Sequence, residues 1–241
     1  KGEPLWVLRT PRPFATPSLA SETFLAAAEG WLRAASEALE PQRHPHGPVL
    51  GYVLQPQPDL LGRSGAYDGD YSAAATDAHR GWLERRYPRG LPLAYGPMAT
   101  VESVTPPRRF DAQNETELRP HLDWLAFKES LVLEAMVRFR RALDVGGDPP
   151  LVLHRQLAGA DSAGARLAPG ALEAEIDGAG VAIAEFPGDF GHRRRQIERL
   201  VGGCRLPLLL CQPWGGRFGW APPDLEEQQA QLLTALMYGA R

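Results

Sequence analysis

Four short runs of consecutive apolar residues stand out along the chain. They occupy residues 49–54, 151–154, 181–184 and 208–211, and a weaker run occupies residues 5–8. The four strong runs lack polar alternation, which is the pattern of strands that are buried on both faces of a parallel sheet. The sequence therefore predicts four buried strands and one weaker candidate.

Helical patterns fill most of the intervals between these runs. Ser18 or Ser21 can cap a helix that continues to about Leu39, and Ser72 can cap a second helix that ends near Arg86. Further helices are expected at residues 121–143, 189–201 and 224–238. Strands that alternate with helices indicate an α/β fold with right-handed crossovers.

Each of the first three helices has an apolar stripe that should face the core. The expected buried positions are Phe24, Ala28, Trp31, Leu32, Ala35 and Leu39 in the first helix, Ala75, His79, Trp82 and Leu83 in the second, and Leu122, Leu125, Leu133 and Met136 in the third. Gly146 is expected to stop the third helix. Residues 87–120, rich in proline and polar side chains, form a long excursion on one face of the fold.

Composition and charge exclude several classes of protein. A net charge of −3 argues against a nucleic-acid binder that relies on phosphate contacts. No apolar run approaches the roughly 18 residues that a membrane span requires, and no signal-peptide pattern opens the chain. Cys204 and Cys211 cannot supply a disulfide scaffold or a four-cysteine zinc site, and both are expected to be free thiols. These features favour a soluble, cytoplasmic protein without fixing its compartment.

Two of the strong runs lie in longer stretches that resemble the catalytic strands of clan A β-galactosidases, especially glycoside hydrolase family 35. Residues 47–57 read Gly-Pro-Val-Leu-Gly-Tyr-Val-Leu-Gln-Pro-Gln. They resemble a family segment that opens with Gly-Pro-Ile-Ile and ends in an Asn-Glu pair at barrel strand four. Residues 207–218 read Pro-Leu-Leu-Leu-Cys-Gln-Pro-Trp-Gly-Gly-Arg-Phe and resemble the strand-seven segment, in which Glu-Phe-Trp follows Pro-Leu-Met and two further residues. In the family, the first glutamate is the acid/base and the second is the nucleophile.

The segment between these stretches also resembles enzymes of families 35 and 42. Residues 67–72 and 82–87 resemble the motifs Asp-Tyr-Ser and Trp-Leu-x-x-Arg-Tyr-Gly, residues 91–96 resemble Ala-Leu-Asn-x-x-Trp-Gly, and residues 123–128 fit the helix before strand five. The resemblance is colinear over residues 1–241 and implies one domain of the (β/α)8 TIM-barrel type. The 241 residues approach the roughly 250 of a complete barrel. However, strands one, two and eight have no counterpart, so the barrel is expected to be partial, from the end of strand three through helix seven.

Both catalytic positions of the family carry glutamine in this chain. The resemblance places Gln57 at the acid/base position and Gln212 at the nucleophile position, and Pro56 stands where the family has asparagine. Retaining glycosidases need two carboxyl groups about 5–5.5 Å apart, and a carboxamide has no proton to donate near neutral pH. General acid catalysis alone is worth ~10²–10⁴-fold in rate. The resemblance therefore implies a catalytically impaired, carbohydrate-binding pseudoenzyme whose partner is a galactoside or a related sugar.

The expected sugar site combines aromatic and polar side chains. Trp214 and Phe218 match family positions near the sugar, and Trp220 follows in the same glycine-rich loop, where aromatic faces can stack on a pyranose. The other expected sugar contacts are Tyr52, His154 and Glu185. No cofactor is implied. No metal is expected either, because His44 and His46 have no cysteine or carboxylate set around them.

Two other interpretations stay open. Glu185, which ends the third strong run, and Asp59 would serve as displaced carboxylates of an active retaining β-galactosidase-type hydrolase. Asp68 and Asp70 lie in the loop after strand four and are further carboxylates considered for this role. The pair Asn114–Glu115 repeats the family's Asn-Glu dipeptide without a preceding strand, so a chance match is expected. Alternatively, the chain is purely architectural and packs against other domains, or against the missing barrel strands, of a larger protein.

Overall fold

The computed structural model describes residues 4–7, 12–54, 67, 70–146, 151–157, 178–182, 208–211 and 225–238. Within these residues the strands are β1 (Pro4–Val7), β2 (Arg12–Pro17), β3 (Gly51–Leu54), β4 (Leu151–Leu157), β5 (Gly178–Ala182) and β6 (Leu208–Cys211). The helices are α1 (Glu22–Leu39), α2 (Ala73–Arg86), α3 (Glu115–Ala142) and α4 (Leu225–Met237).

The described residues divide into two compact units. Unit 1 contains the described residues up to Gly30 and those from Tyr67 to Ala135, and unit 2 contains those from Trp31 to Leu54 and from Met136 onward. The division falls inside α1 and α3 rather than at a linker. The expectation of a single domain over residues 1–241 therefore stays a prediction.

The four strong apolar runs form one parallel sheet in unit 2, in the order β3–β4–β5–β6. The register pairs Leu54 with His154, and Ala182 with both Leu157 and Cys211. Each strand therefore lies beside the strand that precedes it in the chain and runs in the same direction, which requires a crossover connection between them. The predicted α/β fold with a parallel sheet is confirmed for these residues.

β5 begins earlier than its apolar run predicts. It starts at Gly178, because Gly178 and Gly180 pair with Leu153 and Arg155 in the ladder. Glycine has no side chain that would mark a strand, so an apolar pattern misses this part. Residues 183 and 184 of the predicted run lie outside the described residues.

The weaker run at the start of the chain forms a strand of a different sheet. β1 pairs with β2 as an antiparallel hairpin, with Val7 opposite Arg12 and Trp6 opposite Pro13. β2 contains two prolines and has no apolar alternation, so the sequence does not predict it. Within the described residues the parallel sheet begins with β3. The expectation that the partial barrel begins near the end of strand three stays a prediction.

The core of unit 1 is built from α2 and α3. The buried residues of α2 are Ala75, His79 and Leu83, as its pattern predicts. Ser72 caps α2, as predicted, and accepts a hydrogen bond from the backbone N–H of Ala75 at 3.1 Å. On α3, Trp124 and Phe127 are buried, and each ring centroid lies 5.0 Å from that of His79. Burial of a side chain such as Phe127 contributes roughly 1.5–3 kcal/mol before chain entropy is subtracted.

The buried faces of α1 and α3 differ from the predicted stripes. Trp31 is 70% exposed and Leu122 is 53% exposed, although the apolar pattern places both in the core. Leu39 is also exposed, whereas Met136 is buried as predicted. The buried residues of α1 are Leu25 and Ser36, and those of α3 include His121, Asp123 and Lys128 beside Trp124, Phe127 and Val132. Polar side chains that find hydrogen-bond or ionic partners can occupy a core, so a stripe defined by apolar residues alone selects the wrong face.

α3 begins at Glu115, six residues before its predicted start. Asn114 caps it, because its side-chain oxygen accepts from the backbone N–H of Glu117 at 3.1 Å and its amide donates to the Glu117 carboxylate at 2.8 Å. Pro120 lies inside the helix and does not end it. Beyond the last turn, Gly146 adopts a φ of 89°, which glycine tolerates.

The last helix agrees with its pattern, since α4 matches residues 224–238 to within one residue at each end. The helix expected at residues 189–201 lies outside the described residues. Among the helices that the structure describes, none is both long enough and apolar enough to cross a bilayer.

Candidate functional site

The predicted catalytic positions follow the carboxyl ends of the parallel strands. β3, β5 and β6 end at Leu54, Ala182 and Cys211. In the sequence, Gln57 and Glu185 come three residues after β3 and β5, and Gln212 comes directly after β6. The carboxyl ends of parallel strands meet at one edge of a sheet, where active sites of α/β proteins lie. We call this edge of the β3–β6 sheet the carboxyl edge.

Most of the predicted site residues lie outside the described residues. They are Gln57, Asp59, Glu185, Gln212, Trp214, Phe218 and Trp220. The structure describes the four adjacent parallel strands that precede these residues in the chain. The roles of these side chains therefore stay predictions.

The strand order sets a condition on the pair Gln57 and Gln212. β3 and β6 are three strand steps apart, which is roughly 14 Å at the usual spacing between neighbouring strands. Side chains stand perpendicular to a sheet, so in a flat sheet the two amides would keep about that separation. The catalytic carboxyl groups of a retaining glycosidase are about 5–5.5 Å apart. Gln57 and Gln212 could approach to that distance only if the sheet curved into a barrel with both side chains on its inner side.

Tyr52 and His154 are the predicted sugar contacts that lie on described strands. The Tyr52 hydroxyl lies 3.3 Å from Ser36 Oγ of α1, and Ser36 donates to the carbonyl of Leu143 at 2.8 Å. The described contact of Tyr52 is therefore with a helix of unit 2. His154 lies opposite Leu54 and Ala179 in the register of the sheet. The structure describes its backbone only. A sugar contact by either residue stays a prediction.

The stretch that resembles Asp-Tyr-Ser forms a buried polar cluster in unit 1. Asp70 is 5% exposed and accepts hydrogen bonds from the Ser18 hydroxyl and, at 3.1 Å, from the backbone N–H of Ser72. Burial raises the pKa of Asp70, and the hydrogen bonds and the nearby charge of Lys128 oppose that rise. Asp70 therefore joins the starts of α1 and α2. Asp70 is therefore not an exposed loop carboxylate, because its side chain is buried against these partners.

The stretch that resembles Trp-Leu-x-x-Arg-Tyr contributes to a second polar cluster, around the buried Asp123 of α3. Asp123 accepts hydrogen bonds on Oδ2 from the hydroxyls of Tyr87 at 2.7 Å and Tyr95 at 2.9 Å. The Nε atoms of Arg86 and Arg119 lie 3.2 Å and 3.3 Å from Oδ1. We call these five residues the Asp123 cluster. The cluster links the C-terminal end of α2 and the 3-10 turn that ends at Tyr95 to α3.

The Asp123 cluster is suited to structure rather than to catalysis. Oδ2 accepts from two tyrosine hydroxyls, and Oδ1 lies beside two arginines without a hydrogen bond among the described residues, so the carboxylate is enclosed by groups of the fold. Burial and the adjacent negative charge of Asp123 raise the pKa of Tyr95, which keeps its hydroxyl protonated as a donor. The sequence analysis identifies this stretch only as a resemblance. An aspartate in the middle of an apolar helix face is the signal that predicts a buried partner.

A cavity of about 230 Å³ lies beside this cluster in unit 1. It is lined by His79, Tyr95, Ser103 and Thr105 together with small apolar residues. Burial lowers the pKa of His79 to about 4, so the imidazole is neutral at pH 7. In the part of the chain that the structure describes, no group of three or more histidine, cysteine, aspartate and glutamate side chains could hold a metal ion.

No protein-family model matches this chain, and no curated protein matches it in sequence. Solved glycoside hydrolases nevertheless contain a similar fold. A β-galactosidase from the psychrophilic Marinomonas ef1 aligns with a TM-score of 0.71 at 15% identity, over 95% of this chain and 38% of that chain. A polyextremophilic β-galactosidase from the Antarctic haloarchaeon Halorubrum lacusprofundi aligns with a TM-score of 0.74 at 14% identity, over 96% of this chain and 37% of that chain.

The catalytic domain of a β-amylase from Paenibacillus polymyxa is also similar in fold. It aligns with a TM-score of 0.63 at 14% identity, over 99% of this chain and 66% of that chain. The present chain spans less than two fifths of the length of these two β-galactosidases. These likenesses show that the α/β fold of this chain is similar to part of the fold of these larger proteins.

Proposed function

We propose that this chain is a β-galactosidase-like glycoside hydrolase domain that binds a galactoside or a related sugar at the carboxyl edge, with impaired hydrolysis. The observation that carries the proposal is the strand order. β3 and β6 are the first and last of four adjacent parallel strands, and Gln57 and Gln212 follow these two strands in the sequence. The similarity in fold to β-galactosidases supports the same proposal.

The proposal includes a (β/α)8 barrel in which β3 to β6 are strands four to seven. Within the described residues, β3 and β6 are each paired on one side only. Val53 is 52% exposed although it lies on an apolar strand. Open edges and exposed apolar strand faces are features that further strands would cover. Those strands would come from other parts of a longer protein.

The proposed impairment follows from the chemistry of the carboxamide. Gln57 would still hydrogen-bond a glycosidic oxygen, but it has no proton to transfer to the leaving group. Gln212 would still face the anomeric carbon, but an amide oxygen is a far weaker nucleophile than a carboxylate. Stacking on Trp214 and Phe218 would be unaffected by either change. Binding is therefore retained while both catalytic roles are lost.

Restoring both carboxylates tests the assignment of the site. We expect the double variant Gln57→Glu with Gln212→Glu to hydrolyse a chromogenic β-galactoside at least ~100-fold faster than the unmodified chain, since a general acid alone is worth that factor. The matched control is Gln42→Glu with Gln229→Glu, which makes the same change of charge at two exposed glutamines. No gain, or an equal gain in the control, would contradict the assignment.

Sugar binding by the unmodified chain is the second test. We expect galactose or lactose to raise the melting temperature and to change tryptophan fluorescence, and we expect Trp214→Ala to remove both effects. Turnover by the unmodified chain that disappears in Glu185→Ala would instead establish an active hydrolase with displaced carboxylates. Absence of both binding and turnover would leave the purely architectural role.

A further inference from the structure

The two faces of the parallel sheet in unit 2 have different surroundings. Successive residues of a strand lie on opposite faces of a sheet. On β3, Tyr52 and Leu54 share one face: the Tyr52 hydroxyl lies 3.3 Å from Ser36 Oγ of α1, and Leu54 is buried. Val53 lies on the other face and is 52% exposed. We call the face of Tyr52 and Leu54 the helix face and the face of Val53 the open face.

The register of the sheet extends this assignment to β4. Residues that lie opposite each other in neighbouring parallel strands share a face. Val152, which is fully buried, lies opposite Tyr52. His154 lies opposite Leu54, so it belongs to the helix face. Arg155 follows His154 in β4 and therefore belongs to the open face.

Arg155 is the only charged residue among the described residues of β3 to β6. The other open-face residues of these strands are glycine, alanine, valine, leucine and cysteine. A guanidinium stays charged at physiological pH and offers five donors but no acceptor. Its burial among apolar groups is unfavourable unless an anion pairs with it. An anionic partner is therefore expected for Arg155.

The neighbouring strand β5 carries only small residues on the open face. Gly180 lies opposite Arg155, and the open-face residues before and after it are Gly178 and Ala182. Helices surround a TIM barrel, so in the barrel of the proposed function the open face is the interior, which bulky side chains normally fill in layers. Glycines inside a strand often mark the close approach of a ligand. This column of small residues would leave room for a ligand beside Arg155.

Arg155 also lies near the carboxyl edge, where the sugar is proposed to bind. The last described level of the sheet joins Leu157, Ala182 and Cys211. Arg155 precedes Leu157 by two residues, which is roughly 7 Å along a strand. An arginine carries its charge at the end of a long apolar stem, so an anionic group of a ligand at this edge is within its reach.

We propose that Arg155 binds the carboxylate of an acidic sugar, so that the ligand of the carboxyl edge is of the galacturonate type. This inference rests on the proposed function, which supplies the sugar class and the barrel. A guanidinium donates two parallel hydrogen bonds to a carboxylate. D-Galacturonate has a carboxylate where D-galactose has its primary alcohol, and it keeps the ring that would stack on Trp214 and Phe218. The competing partner of Arg155 is an acidic side chain of the protein, such as Glu185.

The test compares three ligands of similar shape on the whole, unmodified chain by isothermal titration calorimetry at pH 7. They are D-galactose, D-galacturonate and the neutral methyl ester of D-galacturonate. We expect D-galacturonate to bind at least ~10-fold more tightly than the other two, because a hydrogen bond to a charged group is worth at least that factor. Sodium acetate should bind at least ~10-fold more weakly than D-galacturonate, since it lacks the sugar ring.

Variants of Arg155 identify the group that causes the preference. Arg155→Gln should bind D-galacturonate and D-galactose equally, with the affinity for D-galactose unchanged. Arg155→Lys keeps the charge without the paired donors and should retain part of the preference. The matched control is Arg33→Gln, which removes an exposed arginine of α1 and should preserve the full preference.

The outcomes separate this inference from the proposed function. Binding of D-galactose without a preference for D-galacturonate would overturn the inference alone, because Arg155 would then be paired within the protein. A preference that persists in Arg155→Gln would also overturn it. Failure of all three sugars to bind would overturn the proposed function together with this inference. The comparison of ligands needs no variant, so it is decisive even where Arg155→Gln does not fold.

Discussion

Asp123 and His79 are two equally buried polar residues of unit 1 with opposite surroundings. Each is 1% exposed, one on α3 and the other on α2. Asp123 is contacted by two tyrosine hydroxyls and two arginines, whereas His79 is enclosed by aromatic rings and has no hydrogen-bond partner among the described residues. Burial alone therefore does not reveal the role of a polar group. Its partners decide whether it links distant segments of the fold or only packs among apolar rings.

The difference has a simple physical origin. A carboxylate remains charged at neutral pH, so its burial requires donors and positive charge on every side. An imidazole can give up its proton, and burial lowers the pKa of His79 to about 4. A neutral ring tolerates apolar neighbours that an anion could not.

Among the variants that test this comparison, removal of the buried Asp123 carboxylate should change the free energy of unfolding most. We expect Asp123→Ala to lower the free energy of unfolding by about 3 kcal/mol, because it removes two hydrogen bonds to a charged acceptor, each worth roughly 1.5 kcal/mol. Urea denaturation at pH 7 measures the change. The control is Asp77→Ala, which removes an exposed i,i+3 pair with Arg80 at 3.2 Å and should cost less than about 0.5 kcal/mol. Equal losses in the two variants would contradict a structural role for the Asp123 cluster.

The second-largest expected effect is a loss of stability on acidification, which arises from the buried His79. In the unfolded chain a histidine titrates near its ordinary value of 6.5, and in the fold His79 titrates at about 4, chiefly because of burial. Between these two pH values the unfolded chain binds more protons, so stability falls as the pH falls. The full difference amounts to about 3 kcal/mol below pH 4.

The measurement for this effect is the free energy of unfolding of the chain and of His79→Phe at pH 7, 5.5 and 4. The variant should lack that part of the acid-dependent loss. The nearby charges of Asp123 and Arg80, which act on His79 in opposite directions, are unchanged in the variant. Asp70, whose pKa is raised by burial, has the opposite pH dependence, since the folded form keeps its proton to higher pH. That contribution is common to both proteins and cancels in the comparison. Parallel pH profiles would contradict the assignment.

A smaller change removes one donor from the Asp123 cluster. Tyr95→Phe deletes the hydroxyl that lies 2.9 Å from Asp123 Oδ2 and keeps the ring. We expect a loss of about 1.5 kcal/mol, which is typical of a hydrogen bond to a charged group. Thermal and urea denaturation report it, and Tyr52→Phe is the matched control, because its hydroxyl only meets Ser36 at 3.3 Å. A larger loss in the control than in Tyr95→Phe would be inconsistent with this ranking.

The smallest effect is expected for His79→Phe at pH 7. Replacing an unpaired buried polar ring by an apolar ring of similar size should change the free energy of unfolding by less than about 1 kcal/mol, and a gain in stability is as acceptable as a loss. Its contrast with Asp123→Ala sharpens the comparison between the two residues. A loss of about 3 kcal/mol or more would mean that His79 has a partner within the fold.

Much of the secondary structure follows from local pattern. The four apolar runs become the parallel strands, and Ser72 caps α2 where its hydroxyl and the following residues predict it. The bounds of an element are predicted wrongly where its residues have no apolar side chains. Gly178 and Gly180 extend β5 without side chains, and Asn114 starts α3 ahead of Pro120. In both cases backbone hydrogen bonding determines the element, and a hydrophobic pattern does not contain that information.

Less of the candidate site could be predicted. The sequence identifies Gln57 and Gln212 only through a resemblance, and the structure adds the order and direction of the strands that precede them. Asp70 illustrates the limit of this reasoning. The sequence places it only in a loop after a predicted strand, whereas in the fold it is buried and accepts a hydrogen bond from Ser18, 52 residues away in the sequence. Contacts between such distant residues are absent from any local pattern.

The sequence by itself determines the α/β character of this protein and its four strand-forming runs. These properties depend on residue type and on spacing within a single segment. Only the tertiary structure decides that Asp123 meets two tyrosine hydroxyls and two arginines while His79 packs among aromatic rings. The partners of a buried polar group come from segments far apart in the chain, so the role of such a group exists only once the fold has brought those segments together.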